Sequence, residues 1–397
     1  MTQTESARVV SGAVRQTVAH LVGSYLSSTA TFVHHYISAM HRYRPVVLAP
    51  YTVQPEQFPF PDVYTPDLSQ IQILLLKAMR RLFHRQRMVE PFYLQVIRDQ
   101  KVSLLHAHFG TVGVFSLPVV TASGLPLVTT FYGFDMSRLG RSQAWVERYQ
   151  RLFEKGDLFL VEGSRMAQNL VKLGCPRPKV RIQRIGVDLD KFSYRPPPST
   201  KGRIRILMCG RFVEKKGFEY GIRAFARINS EFPKAQLRIV GDGSLQPHLE
   251  RLIQDLSLQQ HAVMLGALPY DAYIGEAMDA HVFLAPSVTA ANGDSEGGAP
   301  TVLLEMQARG VPVLSTYHAD IPEVVLDGVS GYLVSERDEK ALSQKLAELL
   351  EHPESWEAMG RAGRAHMEKQ HDIVKLARDL EAKYDQVQAA NVKGRAY

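Results

Sequence analysis

Three stretches of the chain carry residue types suited to phosphate and sugar chemistry. The first is GRFVEKKG, Gly210 to Gly217, which follows the apolar run Ile204 to Cys209. An arginine presents a flat fork to phosphate oxygens and a lysine a compact charge, so Arg211 and Lys216 read as a diphosphate site. The second runs from Gly297 through Gly298, Ala299, Pro300 and Thr301 to Glu305. Its glycines let backbone approach a ligand closely, and the free amides of the helix that follows favour an anion. Thr301 and Glu305 are four residues apart and so share a helix face, where a carboxylate would repel phosphate and meet a sugar diol instead. This suits a nucleotide diphosphate lying along the helix, although an ordinary surface glutamate gives the same spacing. The third stretch pairs His106-Ala107-His108-Phe109-Gly110 with Phe131-Tyr132-Gly133-Phe134-Asp135, each at the end of an apolar run. Ligand chemistry collects at such carboxyl ends in open parallel sheets.

The surrounding elements must position these groups. Val282 to Ala285 reads as a short buried strand, Thr289 to Gly298 as a small polar loop, and Pro300 as the first residue of a helix stopped by Gly310 and Pro312. Val14 to Val22 predicts a first strand, followed by a loop holding Gly23, Ser24 and Ser28, where an acceptor or the donor phosphates would approach. Further strands are expected at Val102 to Ala107, Leu127 to Thr130 and Leu158 to Glu162, with Ser164 placed to cap a helix. In the second half they are expected at Ile204 to Cys209, Leu237 to Val240 and Val263 to Leu265. Strands alternate with helices in both halves, predicting an α/β protein of two Rossmann-like domains that face a cleft. The expected boundaries are 1–190 and 191–371, joined by an extended linker around Pro196 to Pro198, with a terminal helix over 372–397.

Composition narrows the partners. A length of 397 residues with 45% hydrophobic and 22% charged content suits two globular domains. The net charge of +7 favours acidic partners such as phosphorylated small molecules or anionic lipid. Nucleic acid is not expected, since neither zinc-finger spacing nor an aromatic RNA-binding signature is present. Cys175 and Cys209 stand far apart, which predicts neither a disulfide nor a metal cluster and fits a reducing cytosol. Asp188 and Asp190 are two lone acids, a poor site for a hard cation, so no metal is expected. Val102 to Phe134 contains no Asp, Glu, Lys or Arg, but its glycines and prolines cut it into pieces suited to a buried parallel sheet rather than a membrane span. Residues 70–98 combine Lys77, Arg80, Arg81, Arg85, Arg87 and Arg98 with an apolar stripe. Such a helix either lies on an anionic membrane surface or packs on its own sheet.

The stretch GDSEGGAPTVLLE with STYHADIPEVV resembles the C-terminal signature of the retaining glycosyltransferases of family 4, especially the bacterial exopolysaccharide and colanic-acid type. The resemblance implies the GT-B fold and transfer of a hexose from a nucleotide-diphosphate sugar, UDP- or GDP-linked, to a saccharide or lipid-linked saccharide acceptor. It implies no cofactor and no metal, and a terminal helix that crosses back to the first domain. It marks Arg211, Lys216, Glu296 and His108 as catalytic, and Glu305, Gly298, Ala299, Pro300, Thr301, Gly266, Tyr132 and Asp135 as donor-binding. Two departures stand out. Glu296 and Glu305 have eight residues between them where seven is usual, so Glu296 or Gly297 takes the first position. Tyr132 stands where a histidine is common, and a phenol donates a hydrogen bond but does not titrate near neutrality. The same fold also hosts epimerases, hydrolases and binding proteins without turnover.

Overall fold

The computed structural model describes residues 15–25, 31–53, 56, 58–82 and 88–394. The first domain holds β1 (Gln16–Leu21), α1 (Thr31–Ser38), β2 (Tyr43–Leu48), β3 (Val63–Tyr64), α2 (Gln70–Leu82) and α3 (Glu90–Asp99). It continues with β4 (Val102–His108), α4 (Gly110–Ser123), β5 (Leu127–Thr130), α5 (Gly133–Ser137), α6 (Gln143–Lys155), β6 (Leu158–Val161), α7 (Ser164–Lys172) and β7 (Val180–Ile182). Its strands form one parallel sheet in the order β3-β2-β1-β4-β5-β6-β7.

The second domain opens with β8 (Ile204–Cys209), α8 (Phe218–Ile228), β9 (Ala235–Val240), α9 (Gln246–Asp255), β10 (Ala262–Gly266) and α10 (Tyr270–Asp279). β11 (Val282–Ala285), α11 (Thr301–Arg309), β12 (Val313–Thr316), β13 (Gly331–Val334), α12 (Glu339–Glu351), α13 (Trp356–Gln370) and α14 (Ile373–Gly394) complete it. The second sheet is also parallel, in the order β10-β9-β8-β11-β12-β13.

The short apolar runs became central strands because helices cover both faces of each sheet, leaving no polar side for an alternating pattern. β4 and β5 are almost wholly buried, which accounts for the absence of acidic and basic residues across 102–134. The order of each sheet reverses beside its first strand, and the carboxyl ends of the strands there open toward the seam between the domains.

Helix α14 leaves the second domain and packs on the first. Its Ala377, Leu380, Tyr384 and Val387 join Val18, Tyr43 and Leu104 in one core cluster. Its Glu381 Oε1 accepts the backbone amides of His41, Arg42 and Tyr43 at 2.9, 2.7 and 3.0 Å, tying the helix to the turn between α1 and β2.

Three local expectations are corrected. Residues 70–97 hold two helices rather than one continuous pattern, because Pro91 at the start of α3 has no amide to continue a preceding helix. Pro300 stands one position before the first helical residue, with extended backbone (ψ 133°), rather than inside the first turn. Ser164 does not cap α7: Gly163 holds the cap position, and the amides of Ser164, Arg165 and Met166 are met by carboxylates from the other domain.

Candidate active site

Arg211, Lys216, Pro300, Thr301 and Glu305 line one cavity of about 300 Å³. Thr31 and Phe58 close it from the first domain, and Ala267, Leu268 and Tyr270 form its far wall. The volume falls at the lower end of the range for small-molecule sites. Arg211 and Lys216 arrive on the turn after β8, which must fold back sharply to deliver them. That turn is a single 3₁₀ segment ended by Gly217 in the left-handed region (φ +66°), packed against the Pro286 carbonyl where a β-carbon would stand 1.9 Å away. Gly266 ends β10 at φ +69° and sets the course of the following residues, so Ala267 and Leu268 rather than Gly266 itself face the cavity.

Glu305 is buried in the second turn of α11. Tyr273 donates its hydroxyl to Glu305 Oε2 at 2.5 Å. Burial pushes the carboxyl up to about 7, while the Tyr273 hydrogen bond and the Lys191 charge pull the other way. One carboxylate oxygen is thus oriented by the protein, and the group borders the cavity beside the amide-bearing start of the helix.

The Glu296 side chain is buried beside the turn that carries Lys216. Its carboxylate takes the Lys216 ammonium at 3.0 Å and the Ser287 hydroxyl at 3.0 Å, and its amide donates to His318 Nε2 at 3.1 Å. Burial alone would raise this acid, but the Lys216 and Lys215 charges outweigh burial and hold it below the usual carboxylate value. Lys215, which the motif did not single out, is buried and bonded to Asp294 at 3.1 Å and to the Ser295 carbonyl at 2.9 Å. The two lysines therefore pin the loop Asp294 to Gly297 onto the turn that carries Arg211. Gly297 (φ +79°) touches Gly133 of the first domain so closely that a β-carbon would stand 2.2 Å from the Gly133 Cα.

His108, Tyr132 and Asp135 do not line this cavity; each turns into the interior of the first domain. His108 Nδ1 meets the Tyr132 hydroxyl at 3.0 Å and its Nε2 meets His20 Nδ1 at 3.0 Å. His106 bridges the Thr130 and Tyr384 hydroxyls at 2.7 and 2.6 Å. Burial drives His108 down to about 3 and both neighbouring imidazoles well below their ordinary value, so the three rings are neutral at pH 7. The nitrogens of His20, His106 and His108 come close together, but the mutual and hydroxyl bonds already engage five of the six. Asp135 accepts the amides of Gly110 (2.9 Å), Tyr132 (3.1 Å) and Thr111 (3.4 Å), so it clamps the His-Phe-Gly loop to the Tyr-Gly-Phe-Asp loop. Sequence spacing brought these loops together correctly; their side-chain directions depend on what fills the core beneath them.

Across the seam lies a group that no motif announced. Glu162, at the end of β6, packs against Gly298, where a β-carbon would stand 1.8 Å from Oε2. Burial, then Asp320 and Glu296, push its carboxyl up to about 8. Asp320 bonds the amides of Arg165 and Met166 at 2.9 and 3.4 Å, and Glu323 pairs with Arg184 at 2.9 Å. These contacts hold the domains together along α7.

Of the residues expected on the acceptor side, Gly23 accepts Arg80 Nη1 at 3.0 Å on its carbonyl and Ser24 is half-buried. Ser28 lies outside the described residues. Asp188 and Asp190 form a turn, with Asp188 Oδ1 accepting the amides of Asp190 and Lys191 at 3.1 and 3.0 Å.

Comparison with known proteins agrees with this architecture. The family model of Glycosyltransferase Family 4 matches residues 29–191, and that of the group 1 glycosyl transferases matches residues 191–366. The chain is 37% identical over 255 residues to a putative colanic acid biosynthesis glycosyltransferase of Escherichia coli, covering 64% of this chain and 63% of the relative. It is 33% identical over 244 residues to an amylovoran biosynthesis glycosyltransferase of Erwinia amylovora, covering 61% and 60%. The match thus spans a little under two thirds of the length of these relatives. The fold resembles that of Anabaena HepE solved with UDP and glucose, with a TM-score of 0.76 at 16% identity, covering 94% of this chain and 100% of that one. With both halves matched in tandem on a GT-B framework, the chain belongs to the glycosyltransferases, family 4 in its first domain and group 1 in its second.

Proposed function

We propose that this protein transfers a hexose from a nucleotide-diphosphate sugar to a hydroxyl of a saccharide or lipid-linked saccharide, with retention at the anomeric carbon, in exopolysaccharide or glycolipid synthesis. The observation that carries the reading is the meeting of Arg211, Lys216, the start of α11 and Glu305 around one cavity. Cleaving the bond between the sugar and the diphosphate places growing negative charge on the leaving oxygens. Arg211 and the three protons of Lys216 face that charge, and Lys216 can keep Glu296 while it donates to phosphate. The first amides of α11 add fixed partial charge along the same line. Glu305, held through one oxygen by Tyr273, offers the other to a ribose diol. His108 and Tyr132 stand outside the cavity and bond to each other, and in this reading an oxygen of the leaving phosphate takes the incoming hydroxyl's proton. The relatives named for colanic acid and amylovoran synthesis support an exopolysaccharide setting.

The sites also include a surface. On α2, Ile71, Leu74 and Leu75 are 71%, 64% and 52% exposed, and only Leu76 of its described side chains is buried. With Lys77 exposed beside them, this face suits the headgroup boundary of an anionic membrane and would bring a lipid-linked acceptor to the cleft. Arg80 does not serve there, since it turns inward to Gly23 and stacks over Phe115 at 5.5 Å. Arg85, Arg87 and the side chain of Arg81 lie outside the described residues. No helix among the described residues is long and apolar enough to cross a membrane.

Thermal-shift titration with UDP, GDP and ADP identifies the base through ligand-linked stabilisation. Incubation with labelled donor and saccharide acceptors then separates outcomes. Label moved to an acceptor supports transfer, whereas free labelled sugar or an epimerised donor as the sole product would replace this reading.

A further inference from the structure

A second cavity, of about 270 Å³, is bordered by the loop that carries Glu296. Its walls come from both domains: Ser137, Arg141, Arg165 and Asn169 from the first, Ser295 and His318 from the second. Two arginines stand against one glutamate in its lining. Arg141 and Arg165 both border the space, and neither guanidinium pairs with a carboxylate within 4.0 Å among the described residues. The Asp320 carboxylate beside α7 accepts the backbone amides of Arg165 and Met166. Glu336 is the only acid in the lining, and its carboxylate is engaged by the Thr289 amide (2.7 Å), the Thr289 hydroxyl (3.3 Å) and His318 Nδ1 (2.6 Å). His318 is spent as well, because its Nε2 accepts the Glu296 amide. What remains for a ligand is two guanidinium forks with the Asn169 amide and the Ser295 hydroxyl, a set that matches an oxyanion carried on a polyhydroxylated ring.

The position adds meaning. Ser295 and Gly297 face this cavity, while Glu296 between them holds Lys216, which faces the other. We infer that this second cavity binds the anionic group of the acceptor, a uronate carboxylate or a phosphate on a saccharide, and so selects acidic acceptors. This rests on the glycosyl-transfer reading of the first cavity.

The test uses the full chain and isothermal titration with D-glucuronate and, separately, inorganic phosphate, each with and without saturating nucleotide diphosphate. Saturable binding of either anion that persists with nucleotide present is expected, and the anion preferred tells carboxylate from phosphate. The variant Arg141→Gln/Arg165→Gln should weaken that binding by about tenfold or more, as loss of charged hydrogen bonds implies, with nucleotide affinity and melting temperature near those of the parent. Displacement of the anion by nucleotide, indifference to the double substitution, or no saturable binding overturns the inference. Failure of nucleotide to bind would instead strike the first cavity, and is read independently in the same titrations.

Discussion

Replacing Lys216 and Glu296 singly and together distinguishes charge placed for chemistry from charge placed for architecture. In Lys216→Met the Glu296 carboxylate, 6% exposed in its side chain, keeps only Ser287 and the more distant charge of Lys215. Breaking a fully buried ion pair costs about 3–5 kcal/mol. The remaining Lys215 charge and the 17% exposure of Lys216 reduce that to about 2 kcal/mol here. In a domain of this size such a loss lowers the melting temperature by about 4–8 °C. The pair Lys216→Met/Glu296→Gln removes both charges and should regain most of the lost stability. Turnover should behave differently, falling by about 10²-fold or more in the single and the double variant alike, because the leaving diphosphate has lost its cation in both. Scanning calorimetry and initial rates of nucleotide-diphosphate release measure the two quantities on the same samples. Recovery of rate together with recovery of melting temperature would refute the assignment and reduce Lys216 to a loop anchor.

Four further outcomes are expected. Arg211→Ala should lower turnover by about 10²-fold with little change in melting temperature, checked by the same rates and melts. Tyr273→Phe removes the bond that favours the ionised form of Glu305, so nucleotide affinity at pH 7 should fall by about tenfold, measured by titration calorimetry. Glu162 titrates near 8 in the native protein against 4.5 as an ordinary glutamate, so the native state holds an extra proton between these values. Stability should therefore decline as pH rises through that window, and Glu162→Gln should melt increasingly above the parent from pH 5 to pH 8; a constant difference across the series would contradict the origin assigned to the shift. Finally, changing Ile71, Leu74 and Leu75 to serine should abolish co-sedimentation with anionic liposomes while leaving melting temperature nearly unchanged, since these side chains are already exposed. Retained binding would exclude α2 as the docking face.

Much of the frame was legible because its signals are local. The β5, β8 and β11 boundaries coincide with the apolar runs between turn residues, and the Gly-Arg to Lys-Gly turn follows β8 as its spacing implied. Boundaries shifted where a partner distant in sequence intervened: Gly163 replaces Ser164 as the cap because Asp320 and Glu323 meet the helix amides instead. The uncharged stretch 102–134 could be told from a membrane span only because prolines and glycines break a helix wherever they occur.

The sequence by itself determined which residues have the chemistry for diphosphate and diol, since fork, point charge, free amide and carboxylate are properties of residue type and short spacing. Tertiary structure alone decided which of them share a space. Arg211 and Glu305 are 94 positions apart in sequence and meet in one cavity, whereas His108 and Tyr132, equally suggestive in type, are drawn inward, His108 to His20 and Tyr132 to His108. The identity of Glu162 as a proton-holding group, and the pairing of Lys216 with Glu296, likewise appear only on folding. The physical reason is that burial and neighbouring charge act through space: Glu162 is raised by burial and then by Asp320, Glu296 is lowered by Lys216 and Lys215 against burial, and no pattern along the chain records which neighbour the fold will supply.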